Sequence, residues 1–170
     1  TTGYIKINWS AAEISKEMGT ISVENKTDIP NYGSVYWQYF ENLENIKSDS
    51  TKVLSITKNV YKKIKTTSRN ELVELLKENL KPGDLVTIQL IIKTENDLEF
   101  VHLKDLRASC FEPVDVISEY KWKNGLGYYQ STKDIATHFF FDTIKTGTYV
   151  LEYDVRINNS GSFNDGIATL

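Results

Sequence analysis

The chain has 170 residues, with 20 lysines and arginines against 23 aspartates and glutamates, a net charge of −3 and 40% hydrophobic residues. This is a globular composition, without the basic excess that binds phosphate backbones and without an apolar run near the ~18 residues of a membrane span. It argues against a nucleic-acid partner and against membrane contact. One cysteine, Cys110, rules out an internal disulfide and a cysteine-rich zinc site, so packing must hold the fold. The opening at Thr1, with Met18 as the one methionine, reads as a processed or excised piece. Residues 166–170 read as a strand cut short.

Period-two patterning dominates. Residues 4–9, 20–24 and 33–41 alternate apolar and polar side chains and predict three strands in an N-terminal block. Asn42 to Ser50 is polar and predicts a boundary, giving residues 1–50 and 51–170 as two parts. Leu54, Ile56, Val60 and Ile64 then share one face of a long strand. The next segment points two ways. Ser68 to Glu71 fits a capping box, and Leu72, Leu75, Leu76 and Leu80 fit a helical face over Arg69 to Asn79.

Further strands are predicted at Leu85 to Ile92, Leu98 to Leu106, Val114 to Tyr120, Ile135 to Asp142, Thr148 to Ile157 and Ile167 to Leu170. Asn124-Gly125 supplies the positive φ angles of a tight hairpin. Short strands with a turn signal about every 8–12 residues predict an all-β sandwich. Gly147 followed by Tyr149 at a strand start matches a tyrosine corner, in which the Tyr149 hydroxyl bonds backbone near residues 144–147.

Candidate chemistry is sparse. Cys110 and His102 are eight residues apart with no residue placed to orient the imidazole. His102 and His138 lack further ligands at metal-binding spacing, and the carboxylates are scattered, so no enzyme, metal or cofactor is expected. Asp105 and Arg107, two apart on a strand, predict a same-face structural ion pair with His102 and Lys104 opposite. Asn8, Asn25 and Asn158 begin three-residue glycosylation sequons of the kind that arise often by chance.

Aromatic residues carry the functional signal. Tyr36, Trp37, Tyr39 and Phe40 put rings on both faces of one strand, and Tyr120, Trp122, Tyr128 and Tyr129 surround one hairpin. A half-buried sheet needs rings on one face, so a second aromatic face predicts a neighbour there. Trp37, Tyr120, Trp122, Tyr128 and Tyr129 are the expected interface residues, facing another domain or, alternatively, a carbohydrate.

Seven runs in order, residues 33–41, 81–84, 100–108, 111–113, 125–132, 139–142 and 145–153, resemble the C-terminal end of bacterial alpha-2-macroglobulin-like proteins, particularly the large Bacteroidetes type. The resemblance implies that residues 1–50 complete a CUB-like sandwich and that residues 51–170 form the last macroglobulin domain. It also implies a strand near Glu71 to Leu75, which the sandwich requires over the helix. The parent would be a periplasmic or envelope-anchored protease trap, and this region its non-catalytic scaffold, packed on the thioester domain and shielding it. The family's thioester needs a Gln three residues after its Cys; here Pro113 stands there, so Cys110 is not that cysteine.

Overall fold

The computed structural model describes residues 3–47, 51, 53–65, 70–74 and 79–170. The chain divides into two units, Thr1–Tyr39 and Phe40–Leu170.

The first unit contains two short 3-10 turns, Ala11–Glu13 and Lys16–Gly19, and no strand among its described residues. The strands expected at residues 4–9, 20–24 and 33–41 do not form. Alternation gives a segment the side chains of a strand, but a strand persists only when a neighbour takes up its backbone donors and acceptors. Among the described residues these segments have no ladder partner, and Ile5, Val23, Tyr36 and Tyr39 stay exposed. Local side-chain bonds take over instead: Asn25 Nδ2 donates to the Ile29 carbonyl at 2.8 Å, and Asn25 Oδ1 accepts from the Thr27 amide at 3.0 Å.

The second unit opens with a 3-10 turn, Leu43–Asn45, and is otherwise β. Its strands are β1 (Leu54–Lys65), β2 (Asn70–Glu74), β3 (Leu85–Thr94), β4 (Leu98–Leu106), β5 (Phe111–Pro113), β6 (Glu119–Lys123), β7 (Leu126–Thr132), β8 (Ala136–Ile144), β9 (Gly147–Ile157) and β10 (Ala168–Thr169). They form two antiparallel five-stranded sheets, ordered β2-β1-β3-β9-β5 and β10-β4-β8-β7-β6. The all-β sandwich expected from the sequence is the fold of this unit.

Alternation builds the core. Val86, Ile88, Leu90 and Ile92 of β3 and Leu151, Tyr153, Val155 and Ile157 of β9 face Leu103, Tyr128, Phe139 and Phe141 from the second sheet. Each such side chain contributes about 1.5–3 kcal/mol on burial. The pattern breaks once. Phe100 takes a φ of +54°, and there β4 and its partner β8 exchange the faces they bury, so that Leu98 and Ile144 join the core at the far end.

Of the two readings of the segment after β1, the strand is the one that forms: residues 70–74 are strand β2, paired with β1 through Val73 and Lys62, as the resemblance implied and against the helix that local spacing favoured. Sheet pairing overrides local propensity here; Ser68 and Arg69 of the capping box and residues 75–78 lie outside the described residues. The strand expected over Val114 to Tyr120 is corrected: β5 ends at Pro113, residues 114–118 are irregular, and β6 begins at Glu119, so only the last two expected residues are in a strand. Pro113, with no N–H to donate, ends β5, and Val114, Val116 and Ile117 remain exposed. The hairpin turn does form: Asn124 and Gly125 both adopt positive φ, +53° and +78°.

Candidate functional site

The two outer faces of the sandwich differ in chemistry. On the first sheet, Asn59, Gln89 and Glu152 make a polar row across β1, β3 and β9, with Gln89 Nε2 donating to Glu152 Oε1 at 2.9 Å. Beside it, Asp154 accepts from Lys63 and from the Thr87 hydroxyl, each at 2.7 Å. This is a face built for water.

The outer face of the second sheet is aromatic. Tyr120 pairs with Tyr129, Tyr129 with Phe140, and Phe140 with His102, so four rings form one row across β6, β7, β8 and β4. At strand spacing such a row spans about 14 Å. Tyr120 is 59% exposed, Tyr129 44% and Phe140 45%. Next to the row, Trp122 pairs with Gly127 and is 71% exposed. The Tyr120 hydroxyl and the Trp122 ring occupy the space a side chain at position 127 would need, with Trp122 Cε3 2.7 Å from that Cβ position. Glycine at 127 is therefore what lets both rings lie across the hairpin.

Positive charge borders the row on one side. His102 Nε2 and His138 Nδ1 are 2.9 Å apart, and the Phe140 ring lies parallel to His102 at 4.6 Å. A hydrogen bond between two imidazoles needs one neutral acceptor, so the bonded pair carries at most one positive charge. Burial lowers the His138 pKa, and the neighbouring His102, Lys104, Lys133 and Arg107 lower it further. The face thus combines apolar rings with a cationic border, the composition of an interface centre and its rim.

The expected interface residues separate. Tyr120, Trp122 and Tyr129 lie together on this face. Tyr128 does not: it is 3% exposed and points into the core, its ring edge-on to Phe139 at 5.8 Å, because the hairpin alternates and Tyr128 takes the inward parity. Trp37 belongs to the first unit, in a stretch without regular structure. Phe140 and His102 were missed, since only the strand order brings β8 and β4 beside the hairpin; the period-two parity of His102 already placed it outward.

The structural expectations also need correction. Tyr149 packs on the core and over Gly147 at the start of β9, but its hydroxyl makes no hydrogen bond to residues 144–147. A bonded tyrosine hydroxyl is found instead at Tyr153, which donates to Asp105 Oδ2 at 2.5 Å. Asp105 and Arg107 do face inward, yet they do not pair. Asp105 meets Lys58 of the opposite sheet, Nζ to Oδ1 2.8 Å. Arg107 Nη1 donates to Thr137 Oγ1 at 2.6 Å, and Nη2 to the carbonyls of Lys133 and Asp134, so Arg107 pins the β7–β8 turn. Each therefore finds a different partner, Asp105 across the sandwich on β1 and Arg107 within its own sheet on β8 and the turn before it.

Cys110 is buried among apolar groups, which push its thiol pKa up and keep it protonated, and His102 lies on the outer face. Among the described residues no group of three or more His, Cys, Asp or Glu side chains is placed to hold a metal ion. No helix among them is long and apolar enough to cross a membrane.

The profile of the bacterial alpha-2-macroglobulin MG10 domain matches residues 54–170. The chain belongs to this family. The match begins at the first residue of β1 and takes in both sheets of the sandwich. No curated protein and no solved structure matches the chain. Within the MG10 domain the aromatic row therefore occupies the outer face of the sheet formed by β10, β4, β8, β7 and β6.

Proposed function

We propose that this chain is a non-catalytic piece of an alpha-2-macroglobulin-like protease inhibitor, whose MG10 domain docks on and shields the parent's thioester domain through the aromatic face of its second sheet. One observation carries the reading: of two outer faces on the same sandwich, one is a hydrogen-bonded polar surface and the other an exposed row of rings, Tyr120, Tyr129, Phe140 and His102, with Trp122 beside it. Exposed aromatic clusters of this extent mark interaction surfaces. The family match supplies the parent.

The same reading gives residues 1–50 the role of strands that complete a CUB-like sandwich, since they carry strand alternation and exposed apolar side chains without partners in the described chain. Protease capture would belong to the whole parent, outside the cytoplasm, where such inhibitors meet their targets.

The test is a tryptophan-fluorescence titration of this chain with the parent's thioester domain and, separately, with soluble oligosaccharides. The reading expects a saturable change with the thioester domain that Trp122→Ala abolishes. Saturable sugar binding lost in Trp122→Ala, with no response to the thioester domain, would replace it with a carbohydrate-binding role.

A further inference from the structure

Lys58 on β1 and Asp105 on β4 come from opposite sheets and meet inside the sandwich. Nζ lies 2.8 Å from Oδ1, with the lysine side chain 9% exposed and the aspartate fully buried. Among the described residues Oδ1 has no well-directed hydrogen bond, so Nζ touches it without the alignment of an ordinary hydrogen-bonded ion pair. Two carbonyls, of Leu106 and Asp165, each accept a hydrogen bond from Nζ at 2.7 Å and fix the nitrogen against the carboxyl group. The other carboxyl oxygen, Oδ2, receives the Tyr153 hydroxyl at 2.5 Å.

Each contact has a use in joining an amine to an acid. Removing both groups from water weakens the preference for the charged pair over neutral amine and neutral acid. Burial raises the Asp105 pKa, outweighing Lys58 and Tyr153, which lower it. Tyr153, whose own pKa burial and Asp105 push upward, keeps its proton and directs it at Oδ2, where negative charge grows when a nucleophile adds to Cγ. Holding the two groups in contact makes the reaction unimolecular, and well-oriented pairs reach effective concentrations of about 10⁵–10⁸ M.

We propose that Lys58 and Asp105 join spontaneously in an intramolecular amide bond that links the two sheets. The ammonium passes one proton to the carboxylate, and the amine lone pair attacks Cγ. The Cγ–Nζ bond forms and the Cγ–Oδ1 bond breaks. Oδ1 leaves as water, carrying the carboxyl proton and one amine proton, and Oδ2 remains as the amide carbonyl bonded by Tyr153. No oxidant, reductant or further reactant is needed. A cleft of about 900 Å³ opens beside Lys58 and gives the water a way out.

Intact-mass measurement of the denatured full chain tests this. The expected mass lies below the sequence mass by one water, with a protease-derived peptide pair joined through positions 58 and 105. Asp105→Asn is expected to lose one ammonia instead, because the amine then displaces the side-chain amide nitrogen, and Lys58→Arg is expected at its full sequence mass. A wild-type chain at full sequence mass overturns the proposal, as does a water deficit that survives in Lys58→Arg.

Discussion

Tyr153 on β9 donates its hydroxyl proton to Asp105 on β4 at 2.5 Å, so one hydrogen bond ties the two sheets together across the core. Both side chains are buried, and each belongs to an interior strand of its sheet, one in from the edge. A polar contact in that position fixes how the sheets face each other, since any slip of one past the other leaves a buried carboxyl group unpaired.

Tyr153→Phe is expected to cost about 1–3 kcal/mol, the penalty for leaving a buried acceptor unsatisfied. Tyr149→Phe, four residues earlier on the same face, is expected to stay within about 0.5 kcal/mol, because that hydroxyl has no hydrogen-bond partner among the described residues. Urea unfolding midpoints of the two variants check the contrast. Equal losses would place the decisive hydroxyl at the start of β9 after all.

His138 predicts a pH effect on stability. Its pKa in the fold is lowered from 6.5, first by burial and then by the basic groups around it, His102 and Lys104 on β4, Lys133 in the β7–β8 turn and Arg107 behind. The unfolded chain therefore takes up this proton at a higher pH than the folded one. The associated stability is fully present above pH 6.5 and is lost as pH falls through and below that value. Thermal unfolding followed in steps downward from neutral pH should show the decline, and His138→Gln should flatten it. An unchanged slope in the variant would assign the decline to other groups.

The hairpin turn gives a backbone prediction. Gly125 sits at φ +78° with open space where a side chain would go, so Gly125→Ala meets no clash and pays only the left-handed backbone strain. That strain is about 1–2 kcal/mol. Asn124→Ala, at φ +53°, should be destabilising for the same reason. Denaturant unfolding measures both. A stabilised Gly125→Ala would mean the turn adopts a different geometry.

The sandwich was legible wherever side chains alternate against a sheet that is present. Val86 to Ile92 and Leu151 to Ile157 announce their inward faces because every second residue is apolar, and the structure buries those residues. The same signal misleads at residues 4–9 and 20–24, because alternation records that a segment can be a strand and not what it pairs with. Partners across the core were invisible for a related reason. Spacing puts Asp105 and Arg107 on one face, but nothing local identifies Lys58, forty-seven residues earlier, as the cation that Asp105 meets. The aromatic site was half legible: the hairpin supplies Tyr120, Trp122 and Tyr129, while Phe140 and His102 join only through the order of β6, β7, β8 and β4.

Gly127 tests whether the aromatic face is arranged or incidental. A Cβ there would collide with the Tyr120 hydroxyl and lie 2.7 Å from the Trp122 ring, so Gly127→Ala must push both rings off the hairpin. The obstructing atoms belong to exposed side chains that can swing into solvent, and alanine is the smallest possible intrusion, so the sandwich should remain folded with a stability change of no more than about 1 kcal/mol. The near-ultraviolet circular dichroism and the emission wavelength of Trp122 should nevertheless change, because the ring loses the backbone surface it covers. If the face is the docking surface, Gly127→Ala should also weaken binding to the thioester domain while Gly125→Ala, which alters the turn without crowding the rings, weakens it less. A Gly127→Ala chain with unchanged Trp122 spectra would show that the rings do not rest on the hairpin, and the geometric basis for the face would fall with that result.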